Sequence, residues 1–311
     1  MLTIGKVPEG MDSRELNRIK SAPFAIRLLI CALLIAASIW LILEFGGILS
    51  AIGILSLGLM YAHAVELQHQ ALHNTAFPNK TLSRVIGFLL GLPMLVSYSD
   101  YQYHHFQHHR LLGTSDNREF FNYGYDKLTT LKPLAAHLLM AGHYREVAKF
   151  ITWSLMGRLR PGVKQDSAVR IRTEYCLMAI FLAAMLSVSL VFKTTIFLKL
   201  WALPLLIAIP THALIELPEH WGKQADTSDV GVNTRTIKAT WFGYWFTNGN
   251  NYHIEHHWLP SVPNDRLPQL HQLIRSQVEI ETYPQFYKKF LLELYQNTFS
   301  RPPKVDEIAS T

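Results

Sequence analysis

Between Gly249 and Pro260 the chain reads GNNYHIEHHWLP, so His253, His256 and His257 fall within five positions with Glu255 among them. Once buried beside Ile254 and Trp258, so many imidazole nitrogens would each need a polar partner, and a metal supplies one for several at once. Two other patches share this character: His69 and His73 in HQALH, and His104, His105, His108 and His109 in HHFQHH. Eight or nine of the 15 histidines fall in the three patches, depending on whether His104 is counted. A purely structural role for all of them is disfavoured, because many buried imidazoles without a ligand are costly.

Neutral imidazole suits zinc, iron, copper and nickel alike, so ligand type does not choose the metal. Ligand number says more, since eight or nine imidazoles exceed what one ion accepts and imply two. Thiolate ligation is excluded, because Cys31 and Cys176, the only cysteines, both lie in apolar stretches. A soluble diiron carboxylate bundle needs two Glu-x-x-His pairs. Only Glu66 with His69 fits that pattern.

The elements that must carry these residues are membrane helices. Of the 311 residues 49% are hydrophobic and 17% charged, with a mean hydropathy of +0.12. Residues 28–43 and 45–65 hold no charge, and Glu44, Gly46 and Gly47 break the run between them. A helical span needs about 20 apolar residues, so this pair reads as a transmembrane hairpin. Residues 175–192 and 196–217 form a second, whose later arm contains Pro204 and Pro210, which membrane helices tolerate. The uncharged run 85–99 is short for a span and suits an interfacial or re-entrant segment.

Four Lys and Arg fall in residues 1–23, thirteen in 67–173 and nine in 218–311, against Lys193 and Lys199 alone between the later spans. The positive-inside rule then puts both termini and the central segment in the cytosol. The formal charge of +6 sits beside membrane lipid, and no basic run with interleaved aromatics calls for nucleic acid. The N-terminus is too polar for a signal peptide. The expected organisation is a cytosolic arm at 1–23, a single membrane domain at 24–299 and a polar tail at 300–311. Its fold class is all-α integral membrane, with four transmembrane helices in two hairpins and a cytosolic helical cap holding a histidine-rich dimetal site.

On this scheme the histidine patches share one side of the membrane. His69 and His73, four apart, face the same way on a helix, and Glu66 and His63 continue that face. Glu216 and His220 are likewise four apart where the last span exits.

The order of the boxes resembles the membrane fatty acid desaturases and related hydroxylases. HxxxH at His69 and His73, HxxHH at His105, His108 and His109, and HxxHH at His253, His256 and His257 look like that family's three histidine boxes. HFQHHRLLGTSDNREF, the Glu219–His220 pair, NTRT at 233–236 and NYHIEHHWLPSVPNDRLPQLH extend the likeness over roughly residues 60–271. The resemblance implies a nonhaem centre of two iron ions, with O2 as co-substrate, that removes hydrogen from an unactivated C–H bond. It adds His220 to the eight box histidines as ninth ligand. It places Glu216 where some members carry a further polar ligand, so carboxylate or water coordination stays open there. His104 competes with His105 as the start of box two, the following Arg110, Leu112 and Gly113 favouring His105.

Around this set, His63 reads as a channel or supporting residue, and Glu66 and Glu255 as possible ligands or supports, Glu255 orienting a ligand imidazole. His212 and Trp245 are candidates for a substrate channel, and His137, His143 and His271 read as interfacial or surface residues. The expected function is desaturation of a lipid acyl chain. Hydroxylation, carotenoid ketolation and oxidative fatty acid decarboxylation remain alternatives on the same ligand set. A His-rich metal transporter is a distant one, since transporters place ionisable ligands at the bilayer midplane. No haem-carrier domain or rubredoxin-like cysteine pair is evident, so electrons must come from a separate ferredoxin, rubredoxin or haem carrier with its reductase. The setting is a bacterial inner membrane or the endoplasmic reticulum, the former favoured.

Overall fold

The computed structural model describes residues 2–7, 12–118, 120–121, 125 and 128–300. The tail from 301 onward and Glu119 of the second box stretch lie outside the described residues. A short α1 (Ser13–Leu16) leads into α2 (Ser21–Glu44) and α3 (Gly47–Leu72). Their junction turns on Gly47, whose φ of 57° is left-handed and costs a glycine nothing. After α4 (Lys80–Gly91), α5 (Tyr98–Leu111), α6 (Leu131–Leu138) and α7 (Ala141–Leu155) comes the second long pair, α8 (Gln165–Val191) and α9 (Leu203–His220). The later segments are α10 (Val230–Asn233), β1 (Thr236–Lys238), α11 (Trp241–Phe246), α12 (His253–Trp258), α13 (Leu267–Ile274), β2 (Ile280–Thr282) and α14 (Tyr283–Tyr295).

Among the described residues four helices are long and apolar enough to cross a membrane, with best-window mean hydropathies of 2.6, 1.8, 2.0 and 1.7 in chain order. They are the two expected hairpins. The third span begins ten residues earlier than its apolar run, and the second continues seven residues further, to Leu72. Hydropathy fades there because Glu66, Gln68, His69 and Gln70 are polar, yet all are buried and the helix persists around them. The run 85–99 falls across α4 and the start of α5, two helices bent by 97° about the break between Met94 and Tyr98, a form that a broken span and a re-entrant segment share. The fold is helical as expected; among the described residues β1 and β2 add one small parallel pairing, Thr236 opposite Ile280 and Lys238 opposite Thr282. β-Branched Thr236, Ile237, Ile280 and Thr282 favour extended backbone over such short lengths.

The spans divide into inner and outer members. Of the most apolar windows, 56% of α3 and 44% of α9 are buried, against 17% of α2 and 22% of α8. The inner two meet closely at Gly58, where a Cβ would stand 2.6 Å from the Pro204 carbonyl oxygen and 2.7 Å from Ile207 Cβ. A glycine there lets the helix backbones approach, as small residues do between membrane helices. At the histidine-bearing end of α9, Phe286, Phe290 and Leu294 of α14 join Leu217 and Trp221 in one apolar cluster. Ile254 and Trp258 of α12 join Leu267, Leu270 and Ile274 in another.

Candidate metal centre

α3 delivers the first box. Buried His69 lies on its last turn and half-buried His73 caps it. α5 is fastened against that end: the Tyr98 hydroxyl donates to the Ala71 carbonyl at 3.1 Å and Gln102 Nε2 to the Leu72 carbonyl at 2.5 Å. From the other side, Glu174 of α8 accepts from the Ser97 and Ser99 hydroxyls at 2.7 and 2.5 Å. His105, His108 and His109 thereby face inward and are buried. The turn after box two needs Gly113, at φ 85°, because a Cβ would collide with the Thr227 backbone.

The third box arrives on α12, a helix of only six residues that requires external support. Asn248, buried with φ 51°, donates through Nδ2 to the Glu66 carbonyl and Gln70 Oε1 at 3.2 and 2.9 Å, and accepts from Arg27 at 2.6 Å. The Thr236 hydroxyl donates to Glu255 Oε2 at 2.5 Å and accepts from the Ile254 amide at 3.2 Å. Box three is thus tied to α3 on one flank and to β1 on the other.

The nine histidines converge with their Nε2 atoms turned to one another in two sets. In the first, His69 and His109 each lie 2.9 Å from His105, and His256 lies 3.1 Å from His109 and 3.4 Å from His105. His73 belongs here: its ring is 4.5 Å from that of His256, and it falls in the same possible metal-holding group as His69, His105 and His256. In the second, His257 lies 3.3 Å from His108 and 3.0 Å from His253, which is 3.2 Å from His220. Each set mixes residues from separate boxes, five in one and four in the other.

Mutual hydrogen bonding cannot account for these clusters, since a neutral imidazole has one donor and one acceptor. Metal–nitrogen bonds of about 2.1 Å put neighbouring ligand nitrogens about 3.0–3.4 Å apart, which matches most of the spacings. His73 Nε2 is buried and has no hydrogen-bond partner, as a ligand atom would be before its ion arrives. Burial, then the neighbouring imidazoles, holds His253, His256 and His257 well below the usual histidine range, so their nitrogens stay neutral and able to coordinate. The donor set is nitrogen throughout and fits a pair of transition-metal ions.

Known proteins sharpen this reading. The fatty acid desaturase family model matches residues 46–289, which include all nine histidines. The chain belongs to the fatty acid desaturase family. No curated protein matches the chain.

The other candidates in this desaturase-family chain divide. His104 turns away from the two sets to lie 2.5 Å from Arg160, beside a small polar cavity with Asp100, Arg118, His143 and Glu146. His63 is stacked on Trp245 at 4.4 Å, its Nδ1 2.7 Å from the Phe246 carbonyl, so it does not continue the ligand face of α3. Glu255 serves Thr236 and His271, the latter at 2.6 Å, in place of a ligand imidazole. His271 therefore has a supporting role in place of a surface one. His137 and His143 are buried too, the latter among Phe120, Phe121 and Tyr144. Glu66, His212 and Glu216 form a separate group of their own.

Sequence reasoning missed several supports. Asn117 Oδ1 lies 2.8 Å from His108 Nδ1, and the Asn233 carbonyl lies 3.3 Å from His220 Nδ1. Such partners fix the tautomer and aim the other nitrogen at the metal. Glu219 Oε2 lies 3.3 Å from His253 Nε2 and its Oε1 accepts from Asn250 at 2.8 Å. The signals were the positions of Asn117, Glu219 and Asn233 inside the family-like stretches, but nothing in spacing said which ring each would reach.

Proposed function

We propose that this protein is an O2-dependent diiron oxidoreductase that introduces a double bond into a lipid acyl chain. The observation that carries the reading is the division of nine histidines, seven of them buried and His73 and His220 half-buried, into sets of five and four. One ion would be held by His69, His73, His105, His109 and His256, the other by His108, His220, His253 and His257. When bound, the pair would supply O2 activation and removal of hydrogen from an unactivated C–H bond.

The chain's own contribution is placement and exclusion of water. His108 donates from Nδ1 to Asn117, leaving its Nε2 lone pair inward, and His220 does the same toward the Asn233 carbonyl. Burial of the ligands keeps water from the reacting carbon and strengthens the electrostatics of the site. Desaturation takes two hydrogens from adjacent carbons, so an acyl chain held fixed against the site is the main requirement. His63, stacked against Trp245 below the first set, is available to line that chain's path. Both termini and the site face the cytosol on this reading, where a separate ferredoxin, rubredoxin or haem carrier delivers electrons.

Expression in a host lacking such enzymes, with mass spectrometry of total lipids against the His256→Ala variant, tests the proposal. Acyl chains two hydrogens lighter are expected. Species one oxygen heavier would replace desaturation by hydroxylation, and chains shortened to terminal alkenes would replace it by decarboxylation. Lipids identical to the variant's would refute action on lipid.

A further inference from the structure

One turn deeper along the same two inner helices lies a cluster that the two histidine sets do not use. Glu66 stands three residues before His69 on α3, and Glu216 stands four before His220 on α9, with His212 one further turn down. An α-helical turn rises about 5.4 Å, so all three residues sit below the nine histidines, within the apolar span. One ligand atom from each of Glu66, His212 and Glu216 lies within 4.8 Å of the others. Glu66 is 1% exposed and His212 0%.

The hydrogen bonding of this cluster is incomplete. Neither carboxylate oxygen of Glu66 and neither ring nitrogen of His212 has a partner of good geometry, although His212 Nδ1 lies 3.3 Å from Glu66 Oε1 and Asn250 stands nearby. Asn250 is committed through its amide to Glu219. Two ionised carboxylates this deep in an apolar bundle carry a heavy desolvation cost, which a cation between them would offset. Orphaned acceptors directed at a common point, from two helices, are how such a cation would be held.

We propose that Glu66, His212 and Glu216 bind a third divalent cation, separate from the pair held by the nine histidines. Two carboxylates and one imidazole suit manganese, iron(II) or zinc, with water completing the coordination sphere. Its position links α3 to α9 at the level just below the histidines, so it fixes the relative register of the two helices that carry His69, His73 and His220. Glu216 on this account serves the third cation and is not an additional ligand of the histidine pair.

The proposal does not depend on the identity of the reaction. The full chain, purified in detergent and saturated with iron(II) and manganese(II) before desalting, is analysed for total metal per chain. Three ions are expected in the wild type, and two in both His212→Ala and Glu66→Gln; the isosteric glutamine guards against loss of fold. A wild type holding two ions, or three ions in both variants, overturns the third site. If the histidine pair itself does not form, the wild type will hold one ion that His212→Ala removes, which upholds the third site while refuting the diiron reading. X-ray absorption at the manganese edge gives an independent check, with mixed oxygen and nitrogen neighbours in the wild type that vanish in His212→Ala.

Discussion

Each hairpin has one arm that meets its surroundings and one that meets the protein, and the two arms carry different information. α2 exposes Leu29, Leu33, Trp40 and Leu43, at 56–60% each, and presents little but apolar surface. α3, its partner, buries His63, Glu66, Gln68, His69 and Gln70. The same contrast separates α8, with Leu190 and Val191 exposed, from α9, which buries His212, Glu216 and Glu219. Membrane helices keep ionisable residues only where protein or a ligand answers them, so polarity within a span marks the inner arm. Within the hairpins, α3 and α9 carry the candidate ligands, while α2 and α8 mainly face outward, Glu174 of α8 excepted.

The largest effect should come from the ends of the inner arms. His69→Ala or His73→Ala is expected to abolish product formation, a loss beyond the roughly 10–100-fold that supporting residues give, with iron lost from the five-histidine set. Assays in membranes with a supplied reductant, together with iron analysis, check this. Activity within tenfold of wild type in either variant would break the contrast.

Supports should matter less. Asn117→Ala removes the partner of His108 Nδ1 and should weaken iron binding about 10–100-fold without unfolding the protein. Competition with a chelator of known affinity reads the change. An unaltered affinity would mean that α5 packing alone aims the ring.

The close approach of the inner arms gives a smaller, structural effect. Gly58→Ala puts a methyl against Pro204 and Ile207 and should destabilise by about 1–3 kcal/mol, whereas Leu33→Ala on the outer arm should change stability by no more than about 0.5 kcal/mol. Denaturation of both variants in detergent compares them directly. Equal losses would erase the distinction between inner and outer helices.

At neutral pH the smallest effect belongs to a group outside the spans, whose contribution emerges only as the pH falls. Burial on α7, then the charge of His212, lowers His143 from the usual 6.5 to about 3. The folded form therefore stays neutral while the unfolded chain takes up a proton below about pH 6.5, so stability falls as pH drops from there toward 3. One such group contributes a slope of up to about 1.4 kcal/mol per pH unit. His143→Phe should flatten the stability profile in that window and leave it unchanged above pH 7.

Much of this was legible before any coordinates. Charge-free runs gave four spans, and clustering of imidazoles gave the three boxes, because both signals survive in local composition. The unread parts depend on distant partners. Nothing in HHFQHH says that His104 would prefer Arg160, a neighbour 56 residues away. Glu255 looked fit to serve a ligand ring, and only the return of α13 brings His271 to it. The sheet of β1 and β2 was invisible because each strand is three residues long and the pairing spans 44 positions. The five-and-four division could not be read either, since each set draws on separate boxes.

That division is the central claim, and Mössbauer spectroscopy of the 57Fe-loaded protein tests it most directly. Two nitrogen-ligated iron sites of equal area and distinct quadrupole splitting are predicted, apart from the iron that Glu66, His212 and Glu216 would hold, with His105→Ala perturbing chiefly one of the two and His253→Ala chiefly the other. A single mononuclear iron site, or a pair from which His105→Ala and His253→Ala remove the same component, would contradict the account.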